Sequence, residues 1–151
     1  MTKNMLDLIS EEIKKAMLAR EKVRLEALRG IKKEFLEAKT AKGANGELSD
    51  DTAMKIMVKM VKQRKESAAI YTANNRPELA ENELAEAAVI EEFLPAQLSG
   101  EELEAELKAI IAELGAEGPQ AMGKVMGVAS KRLAGRAEGK AISACVKQLL
   151  A

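Results

Sequence analysis

The sequence predicts an all-α protein built from two helical lobes. Ala, Leu, Glu, Lys and Met, which are strong helix formers, dominate its 151 residues. Apolar residues recur with the 3.6-residue period of an α-helix, and no segment shows the alternation of β-branched residues that is typical of strands. The three prolines, Pro77, Pro95 and Pro119, stand at positions where a helix could begin or end.

The first lobe, residues 1–94, is predicted to be an elongated helical hairpin or bundle. Ser49 is the expected N-cap of its third helix, because Asp50 and an adjacent acid follow it, where the helix dipole favours negative charge. Gly30 is expected to mark a close helix contact, and Arg64 to bridge to an acid of the fourth helix. Four helices are expected, over residues 4–20, 22–39, 50–73 and 77–93. The apolar face of the first helix is predicted to contain Met5, Leu8, Ile9, Ile13, Ala16 and Met17.

The second lobe, residues 99–151, is predicted to be compact and to contain three shorter helices. The chain breaks at Pro95, and Ser99 with Glu102 three residues later forms the pattern of a capping box. Seven of the ten glycines lie in this part of the chain, which favours short helices with tight connections. The helix boundaries are expected at Gly115, Gly118-Pro119, Gly135 and Gly139.

The formal charge is zero overall, with 24 basic and 24 acidic residues, but it is segregated along the chain. Residues 1–76 carry a net charge of +6, residues 77–117 a net charge of −11, and residues 118–151 a net charge of +5. A neutral total excludes a uniformly basic nucleic-acid binder but permits a local basic patch. A basic face of the third helix, with Lys55 and Lys59, is interpreted as solvated helix surface.

The basic C-terminal segment contains the candidate binding residues. Glycines around them allow a backbone to approach a phosphate closely, and helix N-termini offer N–H groups to anions. Two interpretations follow from the charge alone: an RNA-backbone contact, or a basic face that is solvated or paired with the acidic segment of the same chain. The basic residues of this segment, opposed only by Glu138, are Lys124, Lys131, Arg132, Arg136, Lys140 and Lys147.

The residue types argue against catalysis, metal binding and a bound cofactor. The chain has no histidine, and its one cysteine, Cys145, lies on the apolar side of the last predicted helix without a base to activate it. Cys145 is therefore expected to be a small core residue. No segment reaches the ~20 apolar residues of a membrane-spanning helix, and we expect a location in the cytoplasm or an organelle matrix.

Three stretches together carry a family resemblance. They are KQRKES at residues 62–67, EEFLPAQL at residues 91–98, and MGKVMG at residues 122–127 followed by GRAEGK at residues 135–140. With these motifs the chain resembles the YqeY family over nearly its full length. It is also similar to the C-terminal tail of the B subunit of the tRNA-dependent amidotransferase, which amidates Glu-tRNA(Gln) or Asp-tRNA(Asn).

The resemblance implies a two-lobed, all-helical protein whose C-terminal lobe holds tRNA while other domains perform the chemistry. By position it also implies RNA contacts from five of the basic residues of the C-terminal segment: Lys124, Lys131, Arg132, Arg136 and Lys140. The predicted function is therefore a non-catalytic module that binds tRNA or associates with an aminoacyl-tRNA amidotransferase. The alternatives are a protein-interaction adaptor without RNA binding, and an accessory part of a glutamine-dependent carbon–nitrogen ligase.

Overall fold

The computed structural model describes residues 4–151, which form seven α-helices and one short 3₁₀ helix and contain no strand. The predicted all-α fold class is confirmed. The chain divides into two compact units. The N-terminal unit ends at Leu94, and the C-terminal unit comprises Pro95–Ala151.

The N-terminal unit contains four helices: α1 Met5–Ala19, α2 Lys22–Thr40, α3 Asp50–Ala73 and α4 Pro77–Glu91. Local sequence explains their starts. The Asn4 side chain accepts a hydrogen bond from the Asp7 N–H at 2.8 Å, and the Ser49 hydroxyl accepts one from the Thr52 N–H at 3.1 Å. Ser49 is thus the N-cap of α3, as the sequence predicts. Pro77 occupies the first turn of α4, where its missing N–H costs nothing.

One apolar core joins all four helices of this unit. Its large, fully buried members are Ile9, Leu28, Ile31, Phe35, Met57 and Ile90. The expectation for Met17 is wrong, because 53% of its surface is exposed. The neighbouring Ala16 is buried instead, so only part of the apolar stripe of α1 meets a partner helix.

Gly30 of α2 lies directly against the guanidinium of Arg64 on α3. A Cβ at position 30 would lie 3.2 Å from Nη2 of Arg64 and 3.6 Å from the Met60 methyl group. The close helix contact predicted at Gly30 is therefore present, and any side chain there would press on the arginine. Arg64 is part-buried, and its Nε has no hydrogen-bond partner.

Arg24 of α2 connects three helices at the start of that helix. Its guanidinium donates to Glu92, just after α4, at 2.7 Å and to Glu12 of α1 at 3.3 Å. It also lies 3.9 Å from Glu21 and 5.9 Å from the centre of the Phe93 ring. With its side chain only 22% exposed, this is a partly buried ion-pair hub within the unit.

The C-terminal unit contains α5 Gly100–Leu114, the 3₁₀ helix Pro119–Ala121, α6 Met122–Arg132 and α7 Gly139–Leu150. The predicted capping box is present, since Ser99 and Glu102 each accept a hydrogen bond from the other's backbone N–H. Gly115 ends α5 in the left-handed conformation at φ +59°. The expectation that Gly135 ends the sixth helix is wrong by three residues, because α6 ends at Arg132.

Apolar residues spaced four apart on α6 build the core of this unit. Val125, Ala129 and Leu133 are buried and belong to one cluster with Leu107 of α5 and Val146 of α7. Because this spacing commits one face of α6 to the core, the charged side chains between these positions point to other faces.

Candidate nucleic-acid interface

The turn between α6 and α7 is tied to the segment that precedes α5. The Leu98 N–H donates to the Arg136 carbonyl at 2.9 Å, and the Gln97 side-chain amide donates to the Gly135 carbonyl. The Arg136 N–H in turn donates to the Leu133 carbonyl at 2.9 Å. The backbone on both sides of Arg136 is therefore fixed, and this turn presents its basic residues from a defined position.

Gly135 permits this turn because its φ is +78°, in the left-handed region that glycine adopts without strain. It is itself buried, so a side chain would meet the surrounding structure. The sequence did not predict the hydrogen bond from Gln97 to the Gly135 carbonyl. Gln97 lies inside the EEFLPAQL run that carries the family resemblance, and no local pattern links it to a residue 38 positions away.

Four of the five candidate residues are exposed, and three of these four are the lysines Lys124, Lys131 and Lys140. None of the three has a carboxylate partner in the part of the chain that the structure describes. Lys124 and Lys131 are seven residues apart on α6, which is two helical turns and ~10.5 Å along the axis. They consequently share one face of α6, while Lys140 lies in the first turn of α7.

The other two candidates, Arg132 and Arg136, differ in their relation to the acids of α5. Arg132 forms an ion pair with Glu113, and both side chains are about half exposed. The pKa of Glu102 is lowered, first by the hydrogen bond from the Ser99 backbone N–H, then by the Ser99 side chain, and less strongly by the positive charge of Arg136. The candidate set thus contains three lysines without a carboxylate partner among the described residues, Arg132 in an ion pair with α5, and Arg136 in the turn.

The start of α7 adds backbone donors to this region. Glu138, at the N-cap position, makes no side-chain cap hydrogen bond to the first turn. The first N–H groups of a helix have no partner within the helix, and the dipole there favours anions. Lys140 therefore lies beside N–H groups of the kind that can bind a phosphate oxygen.

Cys145 is half-buried at the edge of the C-terminal core, not in its centre. Burial raises the pKa of its thiol, and the Glu104 carboxylate raises this pKa further. The positive charge of Lys108 opposes the rise. A thiol with a raised pKa is a poor nucleophile at neutral pH. Within residues 4–151, no group of three or more Cys, Asp or Glu side chains is placed to hold a metal ion.

No helix within residues 4–151 is long and apolar enough to cross a bilayer.

The family model described as "Yqey-like protein" matches residues 6–150 of this chain. The chain belongs to the YqeY family. The MGKVMG motif of this YqeY-family chain lies in α6. The GRAEGK motif comprises the turn after α6, where the Gly135 carbonyl accepts a hydrogen bond from Gln97, and the first residues of α7. The recognition made from the sequence motifs is therefore confirmed.

A curated relative is the "Altered inheritance of mitochondria protein 41, mitochondrial" of Kluyveromyces lactis. The two sequences are 29% identical over 108 residues, which is 70% of this chain and 58% of the yeast protein. The chain therefore spans a little over half the length of the curated relative that it matches.

Proposed function

We propose that this YqeY-family protein binds tRNA through its C-terminal unit and contacts mainly the phosphate backbone. The observation that carries the proposal is the set of exposed, unpaired lysines on α6 and α7: Lys124, Lys131 and Lys140. Because they are not neutralised within the unit, they are available to an external anion. Arg132 joins this interface when a phosphate replaces its ion pair with Glu113, and Arg136 adds its charge from the turn between α6 and α7.

Recognition through shape and phosphates fits the composition better than reading of bases. The three aromatic residues, Phe35, Tyr71 and Phe93, all lie in the N-terminal unit. The C-terminal unit therefore has no aromatic side chain on which an unpaired base could stack. Phosphate contacts position a nucleic acid without reading its sequence, so we expect little discrimination between tRNA species by this unit alone.

The likeness of the MGKVMG and GRAEGK motifs to the tail of an amidotransferase B subunit favours tRNA over other polyanions. We infer that the protein acts beside an aminoacyl-tRNA amidotransferase, or a similar tRNA-handling assembly, and not as a catalyst itself. The half-buried Cys145, whose thiol pKa is raised, supports a role without a covalent step.

The test is binding of bulk tRNA to the full chain at 50 mM and at 200 mM salt. The critical variants are Lys124→Glu/Lys131→Glu and Arg136→Glu/Lys140→Glu. The matched control is Lys55→Glu/Lys59→Glu, which makes the same change in net charge on exposed residues of α3.

If three to five phosphates are contacted, affinity should fall about 40- to 500-fold over that salt range. Each critical variant should bind more weakly and with a shallower salt dependence, whereas the control should keep most of the affinity. Absence of binding at 50 mM, or an equal loss in the control, would refute the assignment of this interface.

We also propose a cytoplasmic location, since that compartment contains a tRNA pool and keeps a lone thiol such as Cys145 reduced. The yeast relative carries "mitochondrial" in its name, and an organelle matrix offers the same two conditions. Imaging of the tagged full-length protein distinguishes the two locations.

A further inference from the structure

A groove runs between the start of α2 and the outer face of α4 in the N-terminal unit. It consists of two adjoining cavities of ≈ 460 Å³ and ≈ 250 Å³, which share Lys22 and Val23. Along α4 the lining residues follow the i, i+3, i+4, i+7 spacing of one helix face: Asn82, Ala85, Glu86 and Val89. The opposite face of α4, with Ala87 and Ile90, is buried in the core of the unit.

The floor of this groove is apolar. Val23, Ala85 and Val89 line the larger cavity, and Val23 leaves 37% of its surface exposed. Apolar side chains that line a concave surface contribute favourably when a partner covers them, because their contact with water is removed. The groove is therefore suited to an apolar stripe on another molecule.

The lining of the groove contains three carboxylates, Glu21, Glu26 and Glu86, and two cations, Lys22 and Arg24. Helix α4 contains five acidic residues and no basic one. Burial raises the pKa of Glu86, and the carboxylates of Glu83 and Glu26 add to the rise against the opposing effect of Arg64. The ionised form of Glu86 is therefore disfavoured, first by burial and then by the neighbouring carboxylates.

The cations of the lining neutralise only part of this charge. Arg24 pairs with Glu12 and Glu92, which lie outside the lining, and its guanidinium is 3.9 Å from Glu21 within the lining. Lys22 is exposed and is the remaining basic residue of the lining. Glu26 lies 3.9 Å from Arg29, whereas Glu86 has no ion-pair partner among the described residues. A cation brought by a partner would therefore chiefly favour the ionised Glu86 carboxylate.

From this geometry and charge we propose that the groove binds an amphipathic, basic helical segment of a partner protein. Its apolar stripe covers Val23, Ala85 and Val89, and its lysines or arginines approach Glu26 and Glu86. This surface is distinct from the proposed RNA interface, which lies on other helices in the C-terminal unit.

Two observations favour a basic helix over other occupants. Residues 4–94 contain no strand, so an extended peptide has no sheet edge to join, whereas a helix in a groove needs only an apolar stripe. Nucleic acid is disfavoured because the carboxylates of the rim would repel its phosphates. A protein helix with a lysine-rich rim satisfies both the floor and the rim.

The test uses two synthetic helical peptides with the same leucine and alanine stripe, one flanked by lysine and the other by glutamate. Each is titrated into the full chain, and binding is followed by calorimetry and by NMR shifts of backbone amides. Ala85→Arg places a bulky cation on the floor of the groove. Ala88→Arg is the matched control, because Ala88 is an exposed alanine of α4 outside the lining.

We expect the lysine peptide to bind at least about tenfold more tightly than the glutamate peptide, with shifts at α2 and α4. Ala85→Arg should weaken binding about tenfold or more, and Glu86→Gln about two- to fivefold, as for a single ion pair near the surface. Ala88→Arg should bind as the wild type does. Circular dichroism of each variant verifies that the helices are intact.

The proposal is overturned if the lysine peptide does not bind, or binds no better than the glutamate peptide. It is also overturned if Ala85→Arg binds normally, or if the shifts fall in α5–α7. Sedimentation of the protein alone tests whether the groove binds a second copy of this chain instead. A dimer that Ala85→Arg dissociates would assign the groove to that second copy and overturn the proposal. None of these outcomes depends on RNA binding, so this proposal and the proposed function fail independently.

Discussion

The two units are each formally neutral, but they distribute their charges in different ways. Residues 1–94 carry 17 basic and 17 acidic side chains, and residues 95–151 carry seven of each. In the N-terminal unit, Arg24 joins three helices through partly buried ion pairs. In the C-terminal unit, the acids are concentrated on α5, while lysines of α6 and α7 are left unpaired. A neutral unit can therefore use its charges for packing or leave them available for binding.

The largest effect that we expect concerns the partly buried ion pairs of the N-terminal unit. Arg24→Ala removes hydrogen bonds to Glu12 and Glu92 and exposes the side of Phe93. Because charged hydrogen bonds are lost and two carboxylates lose their partner, the free energy of unfolding should fall by about 1.5–3 kcal/mol. Urea denaturation at pH 7, followed by circular dichroism, measures this change.

The control for that variant is Arg29→Ala on the same helix. Arg29 is half exposed, and its carboxylate partner, Glu26, lies 3.9 Å away. Removal of such a pair should change the free energy of unfolding by less than about 0.5 kcal/mol. Equal losses in the two variants would show that Arg24 is an ordinary surface residue and would remove the contrast between the units.

A smaller effect is expected at the capping box of α5. Ser99→Ala removes the hydroxyl that accepts from the Glu102 N–H, and loss of such a cap costs about 1 kcal/mol. Ser99→Asp is the matched variant, because aspartate caps helices as well as serine does. Thermal unfolding should separate the two, and a loss in both would contradict capping as the cause.

The same box gives a pH dependence of defined sign. The pKa of Glu102 is lowered below its ordinary value of 4.5, mainly by its hydrogen bond from the Ser99 backbone. The ionised carboxylate therefore stabilises the folded chain above that ordinary value, and the contribution is lost as the pH falls through the lowered pKa. Glu102→Gln should weaken this acid sensitivity, which urea denaturation at pH 3 to 7 can measure.

The smallest expected effect tests whether the cations of the C-terminal unit are available for binding, and it rests on the proposed function. Glu113→Gln releases Arg132 from its ion pair on α5, so a further cation becomes available to phosphate. We expect tRNA affinity at 50 mM salt to rise about two- to fivefold. Glu104→Gln is the matched control, since Glu104 pairs with Lys108 on the same helix. Binding by the wild type without a gain in Glu113→Gln would show that Arg132 does not contact RNA.

The features that the sequence predicted are local ones. Ser49, the Ser99–Glu102 box and Gly115 act within a single helix turn, so neighbouring residues specify them. Family membership was also readable, because MGKVMG and GRAEGK occur in order at a characteristic spacing. These features need no knowledge of which helices pack together.

The features that escaped prediction depend on contacts between distant residues. The Arg132–Glu113 pair and the link from Gln97 to Gly135 join segments 19 and 38 positions apart. Met17 was placed on the apolar face of the first helix because periodicity defines an apolar stripe without showing how much of it a partner helix covers. The candidate site residues were chosen by residue type and position, and their role stays a prediction; the distinction between the lysines without a carboxylate partner and the paired Arg132 required the fold.

The tie between Leu98 and Arg136 gives the C-terminal unit an internal reporter. The Leu98 amide lies outside any helix, in a connecting segment whose N–H groups ordinarily exchange with solvent deuterium quickly. Because its hydrogen is held by the Arg136 carbonyl, its exchange rate measures how often the turn that carries Arg136 opens. A single backbone resonance thus records the opening of this turn over minutes to hours, which neither crystallographic displacement factors nor fast relaxation measurements detect.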